Sequence, residues 1–330
     1  MDSLRKKNMP AITATAPGKI ILFGEHAVVY GRPAIAVPVK KVRARAIVMA
    51  NPRGQVGDIR ITAPDVGLET SLEELPEDHP IRAAVEGVLS ELGVARAPAC
   101  TLRITSTIPI SAGMGSGAAV SVALMRALSS FLGNPLSNAR VSELAFEVEK
   151  IHHGTPSGID NTVITYAMPV YYVRDQPLET LHLPEPFKIV IGDTGLPSPT
   201  TLAVGELRRA WQMDQDKYEA IFDSVAVIVK EARAAIENGN TGGLGPLMYQ
   251  NHEYLRQMGV SSPELDHLVK AARSAGAAGA KLSGGGKGGN MIALTNDGDA
   301  VEIESALRDA GAVRTIVTTI EESKSIRTDA

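Results

Sequence analysis

Two glycine-rich stretches and a few charged residues are where this chain could do chemistry. Ser111, Ala112, Gly113, Met114, Gly115, Ser116 and Gly117 follow an alternating segment (Leu102, Ile104, Ser106, Ile108) that predicts a strand. They run through Ala118 into an apolar-periodic segment that predicts a helix. Glycines let the backbone approach a ligand without Cβ clashes, and the first helical turn offers unpaired N–H groups at the positive end of a dipole. Such a loop binds an anion, most often phosphate, although a ligand-free tight turn accounts for three glycines in one window equally well. Neither the Gly-x-x-x-x-Gly-Lys-Ser/Thr loop nor the strand-bound Gly-x-Gly-x-x-Gly fingerprint is present in its required context.

The second stretch, Ser283 to Gly289, holds Gly284, Gly285, Gly286, Lys287, Gly288 and Gly289 between a predicted helix and the apolar strand Asn290 to Leu294. Five glycines in six positions leave side chains little role there, so the expectation is backbone contact, with a phosphate or with the first loop. A flexible linker would not run directly into a buried strand.

Glu149 and Asp160 are separated by a helix end and a glycine-containing turn, a spacing that can fold two carboxylates onto one cleft. One could hold Mg²⁺ and the other orient or deprotonate a hydroxyl. On spacing alone a solvated helix end followed by an Asp-Asn turn is the plainer reading. Lys19, after Pro17-Gly18, could neutralise a transferring phosphoryl group, or be a surface charge. His152 and His153 are adjacent, about 100° apart on a helix, and ill placed to chelate one metal.

These residues need elements to position them. Residues 11 to 50 alternate and are punctuated at Gly24 and Gly31-Arg32-Pro33, which predicts a strand, a turn and further strand. Asp65 to Pro80 reads as an exposed acidic loop, and Pro80 to Leu92 as a helix. Helices are expected after the first loop, ending at Gly133-Asn134-Pro135, and from a Ser137 cap to His153-Gly154. Thr155 to Asn161 reads as a turn. The charged, proline-rich stretch from Tyr172 to Lys188 reads as the boundary between two domains, 11–185 and 186–330, after a loose tail at 1–10. Beyond it lie a strand at Ile189 to Gly192, a loop at Asp193 to Thr201, and a long helix through Tyr218 and Val229. Next come a helix capped by Ser262 with Pro263 at its first position, a helix near Val301 to Leu307 and a strand near Val313 to Ile320. Strands and helices interleave, predicting an α+β sandwich.

The 330 residues are 44% hydrophobic and 21% charged, enough for real cores, and the net charge of −4 excludes nucleic-acid binding through a broad basic field. A lone cysteine, Cys100, excludes an internal disulfide and predicts a reducing cytoplasm. Lys6 and Lys7 are followed by Pro10, Pro17 and Gly18 before a signal-peptide core could form, and no apolar run is long enough for a membrane span.

Three segments in order, APGKIILFGEHAVVYG at 16–31, PISAGMGSGAAV at 109–120 and KLSGGGKGGNMIAL at 281–294, resemble the motifs of the GHMP kinases. These are small-molecule kinases named for galactokinase, homoserine kinase, mevalonate kinase and phosphomevalonate kinase. The resemblance spans nearly the whole chain, and Gly24 to Gly31 with His153 to Asn161 is most similar to the mevalonate kinase branch.

The resemblance implies an N-terminal domain like the second domain of ribosomal protein S5 and a ferredoxin-like C-terminal domain. It also implies ATP-dependent phosphorylation of the mevalonate C5 hydroxyl, by direct in-line transfer. Asp160 would be the catalytic carboxylate and Lys19 would polarise the hydroxyl and the γ-phosphate. Glu25, His26 and Thr200 would neighbour the acceptor, Ser111 to Ala118 would hold ATP, and Glu149 with Ser116 would hold Mg²⁺. Another acceptor, a phosphorylated mevalonate or a sugar, or a non-catalytic metabolite sensor on the same fold, are the alternatives. The implied partners are ATP and mevalonate, with neither nucleic acid nor membrane, and a homodimer is an assembly the family allows. The chain departs from the family pattern at Gly117, where a Mg²⁺-binding serine is usual, and at Lys287 and Asn290, where many relatives carry glycine and cysteine. With Gly117 there, either Ser116 or water completes the metal shell, or the ion rests on Glu149 and phosphate oxygens.

Overall fold

The computed structural model describes residues 11–110, 112–153, 156–198, 200–296 and 298–322, so the expected tail at 1–10, Ser111, Gly154 and Thr155 lie outside the described residues. In chain order the first part holds β1 (Ala11–Phe23), β2 (Ala34–Ala50), β3 (Ile59–Ala63), β4 (Leu68–Ser71), α1 (Pro80–Glu91) and β5 (Cys100–Ser106). It continues with α2 (Ser116–Phe131), α3 (Asn138–His153), α4 (Ile159–Tyr166), β6 (Val170–Tyr172) and β7 (Glu179–Thr180). The second part holds β8 (Phe187–Asp193), α5 (Thr200–Met213), α6 (Gln215–Glu237), α7 (Leu244–Gln257) and α8 (Pro263–Ser274). It ends with β9 (Gly279–Ser283), β10 (Asn290–Leu294), α9 (Ala300–Asp309) and β11 (Arg314–Ile320).

Compactness divides the chain into two units that interleave in sequence. One comprises residues 1–16, 42–107 and 117–154; the other comprises 17–41, 108–116 and 155–330. The division falls inside β1 and β2, which are paired to each other and run from one unit into the other.

In the first unit the C-terminal half of β2 pairs antiparallel with β5, β5 pairs parallel with β3, and β3 pairs antiparallel with β4. Burial alternates along these strands, so one face of each carries the core: Ile59, Ile61 and Ala63 on β3 and Cys100, Leu102 and Ile104 on β5. Helix α2 is small-residue-rich and buried through Ala118, Ala119, Val122, Ala123, Leu124 and Leu128. Ser137 caps the start of α3, accepting from the Arg140 N–H at 3.3 Å.

In the second unit β8, β9, β10 and β11 form an antiparallel sheet in the order β11-β8-β10-β9. Numbered within that sheet, the order is fourth, first, third, second, with helices between the first and second and between the third and fourth strands. That is the ferredoxin-like arrangement. The N-terminal part of β2 pairs with β6 in this unit, and Ile21, Val28, Ala34, Ala36, Ile159, Val163 and Val170 pack into one cluster beneath the turn that carries Glu25 and His26. Among the described residues no helix is long and apolar enough to cross a membrane.

Four local expectations are corrected. The acidic stretch 65–80 contains β4, because Leu68 to Ser71 finds an edge on β3. The turn after His153 ends sooner than Asn161: α4 begins at Ile159, so Asp160 and Asn161 are helical. Helices α5 and α7 are not legible as such. In α5 the Thr200-Thr201 pair, expected as loop, is the first turn; in α7 Pro246 stands in the first helical turn, which needs no N–H from proline. Gly245 is required where it is, since a Cβ there would stand 2.1 Å from the Ala278 carbonyl oxygen. Finally, the second glycine loop connects two strands, β9 and β10, rather than a helix and a strand.

Candidate active site

Lys19 lies among the buried positions of β1, and its Nζ is 3.0 Å from Oδ1 of Asp160. Asp160 stands in the first turn of α4, entered through Gly158 in the left-handed conformation at φ 89°. A carboxylate there is favoured by the helix dipole. The Lys19 side chain is 5% exposed and that of Asp160 28%, so the carboxylate is the open end of the pair.

The first glycine loop meets this pair directly. Lys19 N–H donates to the Met114 carbonyl at 3.0 Å. Gly115, at φ 70°, leaves room that a side chain would take: a Cβ there would lie 2.6 Å from Ile164 Cδ1, 3.2 Å from Lys19 Cγ and 3.3 Å from Asp160 Oδ2. The backbone of the glycine loop at Met114 and Gly115 therefore stands beside a lysine and a carboxylate, the combination that binds a phosphate and handles a proton next to it. Ala118 itself is buried in α2 and serves packing.

The second glycine loop braces the first. Asn290 Nδ2 donates to the Ala112 carbonyl, a Cβ at Gly289 would lie 3.1 Å from that same oxygen, and Gly284 and Gly113 approach backbone to backbone. Of the two contacts expected for this loop, the one with the other loop is present. The loop is pinned from outside as well. Ser198 Oγ donates to the Gly286 carbonyl at 2.7 Å, Lys287 N–H donates to Val260 at 2.8 Å, and a Gly285 Cβ would stand 2.9 Å from Thr200 Oγ1. Thr200 is thus an exposed neighbour of this loop at the start of α5.

His26 is 5% exposed and sits at φ 61° in the turn after β1. Its Nε2–H donates to the Gly285 carbonyl at 3.0 Å, which leaves Nδ1 as the ring's acceptor. Burial pulls its pKa down to about 4, so the ring is neutral at pH 7. Glu25, expected beside the acceptor, is 0% exposed and forms an ion pair with the equally buried Lys281. Lys281 Nζ also donates to the Leu282 carbonyl at 2.7 Å. Burial pushes the Glu25 carboxyl up and the Lys281 ammonium down, and each ion's field opposes the other's shift. Asn251 and His252 of α7 stand behind: the first accepts from Gly24 N–H at 3.4 Å, the second from Leu282 N–H at 3.3 Å.

Glu149 and Gly117 belong to the first unit, apart in this division from Lys19, Asp160 and Ser116. Glu149 is buried, and a Cβ on Gly117 would lie 3.5 Å from its Oε1, in ordinary contact, so the backbone at the start of α2 passes against this carboxylate. A carboxylate beside a helix start suits a hard divalent ion that takes most of its ligands from phosphate and water. Among the described residues no cluster of three or more His, Cys, Asp or Glu could hold a metal by itself. The side chains of His152 and His153 lie outside the described residues.

Lys281, Ser283, Asn290, Ser198 and Asn251 were not singled out from the sequence as site residues. For Lys281 a signal existed: it is the one charge in the small and apolar run Ala277 to Leu282. A lysine in such a strand must be paired.

The chain matches the family models "GHMP kinases N terminal domain" over residues 79–168 and "GHMP kinases C terminal" over residues 232–313. It is 37% identical over 324 residues to the mevalonate kinase of Pyrococcus horikoshii, covering 92% of this chain and 93% of that one. Among solved structures it is similar to L. major mevalonate kinase in complex with R-mevalonate, at TM-score 0.83 and 30% identity, covering 96% of this chain and 98% of that one. It is also similar to the Methanococcus jannaschii mevalonate kinase, at TM-score 0.79 and 25% identity, covering 95% and 98% of the two chains.

Proposed function

This chain belongs to the GHMP kinase family, and from that premise we propose that it phosphorylates the C5 hydroxyl of (R)-mevalonate with ATP. The observation that carries the reading is the Lys19–Asp160 pair with the Gly115 backbone against it. Asp160 Oδ accepts the hydroxyl proton as the oxygen attacks the γ-phosphorus and the bond from that phosphorus to the β–γ bridging oxygen breaks, with ADP leaving. The Lys19 ammonium neutralises the oxygens of the transferring group. The N–H groups of residues 112–118 hold the nucleotide phosphates, and the brace from Asn290 and Gly289 keeps their loop in place. His26 and Thr200 adjoin the acceptor, the neutral His26 ring offering Nδ1 to an acceptor hydroxyl. No covalent enzyme intermediate is required, because in-line transfer needs positioning and charge neutralisation.

Glu149 and Ser116 would hold Mg²⁺, which supplies charge neutralisation on the nucleotide phosphates when bound. In family terms residues 11–185 form the N-terminal domain and 186–330 the C-terminal domain. The lone cysteine, buried and unpaired, fits a cytoplasmic enzyme.

Release of ADP by the purified chain with Mg-ATP, measured in parallel for (R)-mevalonate, 5-phosphomevalonate, homoserine and galactose, tests this. Turnover with mevalonate alone is expected. Turnover only with another acceptor would keep the kinase and discard the substrate, and ATP binding with no turnover on any of the four would point to a sensor.

A further inference from the structure

The two carboxylates and two lysines at the heart of the second unit form two separate ion pairs: Asp160 with Lys19, and Glu25 with Lys281. The division of partners needs a reason, since β1 meets β9 two residues from each lysine, where Ile21 N–H donates to Ser283 Oγ at 3.2 Å and Ser283 Oγ donates to the Ile21 carbonyl at 2.8 Å, and the field of Lys19 favours the ionised form of Glu25. One oxygen of Glu25 is taken by Lys281; the other, Oε2, is buried without a hydrogen-bond partner. A buried carboxylate with a free oxygen is a competitor for any cation nearby, because a buried charge left unpaired is strongly unfavourable. Lys281, at 0% exposure on β9, is the cation that pairs with it.

We propose that Lys281 is a positioning residue for phosphoryl transfer: by claiming the Glu25 carboxylate it leaves Lys19 to pair with Asp160 and with the transferring phosphoryl group. Lys281 touches neither reactant and acts through Glu25. The pair is built from two distant parts of the chain, the turn after β1 and the strand β9, so it also fixes the turn that places His26 against Gly285. Nothing about Lys281 as a surface charge or a stability element requires it to face Glu25 specifically. A hydrophobic pair of similar volume would serve packing as well or better. The inference rests on the kinase reading given above for the assignment of Lys19 and Asp160.

The test compares the wild-type chain with Lys281→Met, Glu25→Gln and the Glu25→Gln/Lys281→Met double variant. Each is measured for kcat and for both KM values on whichever acceptor the wild type turns over, with thermal melts in parallel. A wrong acceptor thus shows in the wild-type panel, while the order of the variants still reads the inference. Lys281→Met frees Glu25 to draw on Lys19, and kcat is expected to fall by about 100-fold, the scale of a misplaced catalytic group, with both KM values within about threefold. The double variant removes the competitor too, and its kcat is expected to recover by about tenfold or more over Lys281→Met, a coupling that additive effects cannot give.

A double variant no faster than Lys281→Met would overturn the proposal. So would a Lys281→Met chain with wild-type kcat and only a lower melting temperature, the outcome for a purely structural pair. Should Lys281→Met not fold, the double variant decides alone. A kcat within about tenfold of wild type supports the inference, and a loss of about 1,000-fold contradicts it.

Discussion

Asn290 and Ala112 are separated by 178 positions in the chain, and the Asn290 side-chain amide donates to the Ala112 carbonyl. One glycine loop is therefore held by the first residue of the strand that follows the other. A loop that binds phosphate through its backbone must be fixed by groups that are not themselves on the ligand, and this bond does that.

Replacing Asn290 by alanine removes the donor and leaves a buried carbonyl unsatisfied, a loss of about 1 to 3 kcal/mol. KM for ATP is expected to rise by about 5- to 140-fold, since each 1.4 kcal/mol is tenfold, while KM for the acceptor stays within about twofold. Initial-rate kinetics with each substrate varied in turn reads the split, and equal changes in both KM values would show that Asn290 does not act through the first loop.

At Gly115 the backbone sits at φ 70°, and a methyl group would press on Ile164, Lys19 and Asp160 together. Gly115→Ala is expected to cost about 1 kcal/mol in backbone strain alone and to lower kcat/KM for ATP by about tenfold or more. Wild-type kinetics in that variant would mean that the loop does not need to lie against the Lys19–Asp160 pair.

The pH dependence of stability should carry a histidine signature. Buried His26 has its pKa lowered to about 4, against an ordinary value near 6.5, because burial disfavours the charged ring. The unfolded chain therefore takes up the proton first as pH falls. Stability from this residue is complete above pH 6.5 and declines by about 1.4 kcal/mol per pH unit from there down to about pH 4. His252, lowered to about 4 by burial, adds a decline over the same interval. Urea melts at half-unit steps should show His26→Gln with a shallower fall across this window than wild type; parallel curves would contradict a buried neutral His26.

Much of this was legible in the sequence. On spacing alone Lys19 reads equally as a surface charge, Asp160 as part of a turn and the first glycine loop as a ligand-free turn; it is the resemblance of their three motifs to the GHMP kinases that brings them together. Lys281 was less legible because its function depends on a partner 256 positions away, which no local pattern reveals. Helix α7 was hidden by Gly245-Pro246, whose reason is tertiary: Gly245 lies against Ala278 and Gly279 at the start of β9. The compact units divide within β1 and β2, strands too regular to betray a division.

The central claim, that the open carboxylate of Asp160 takes the acceptor proton beside Lys19, is tested most directly by Asp160→Asn. The measurement is single-turnover transfer from γ-labelled ATP to (R)-mevalonate, with ATP affinity determined by calorimetry on the same preparation. Asparagine keeps the shape and removes the base, so transfer should slow by about 100- to 10,000-fold while ATP affinity changes by no more than about threefold. Transfer at the wild-type rate with Asp160→Asn would contradict the account.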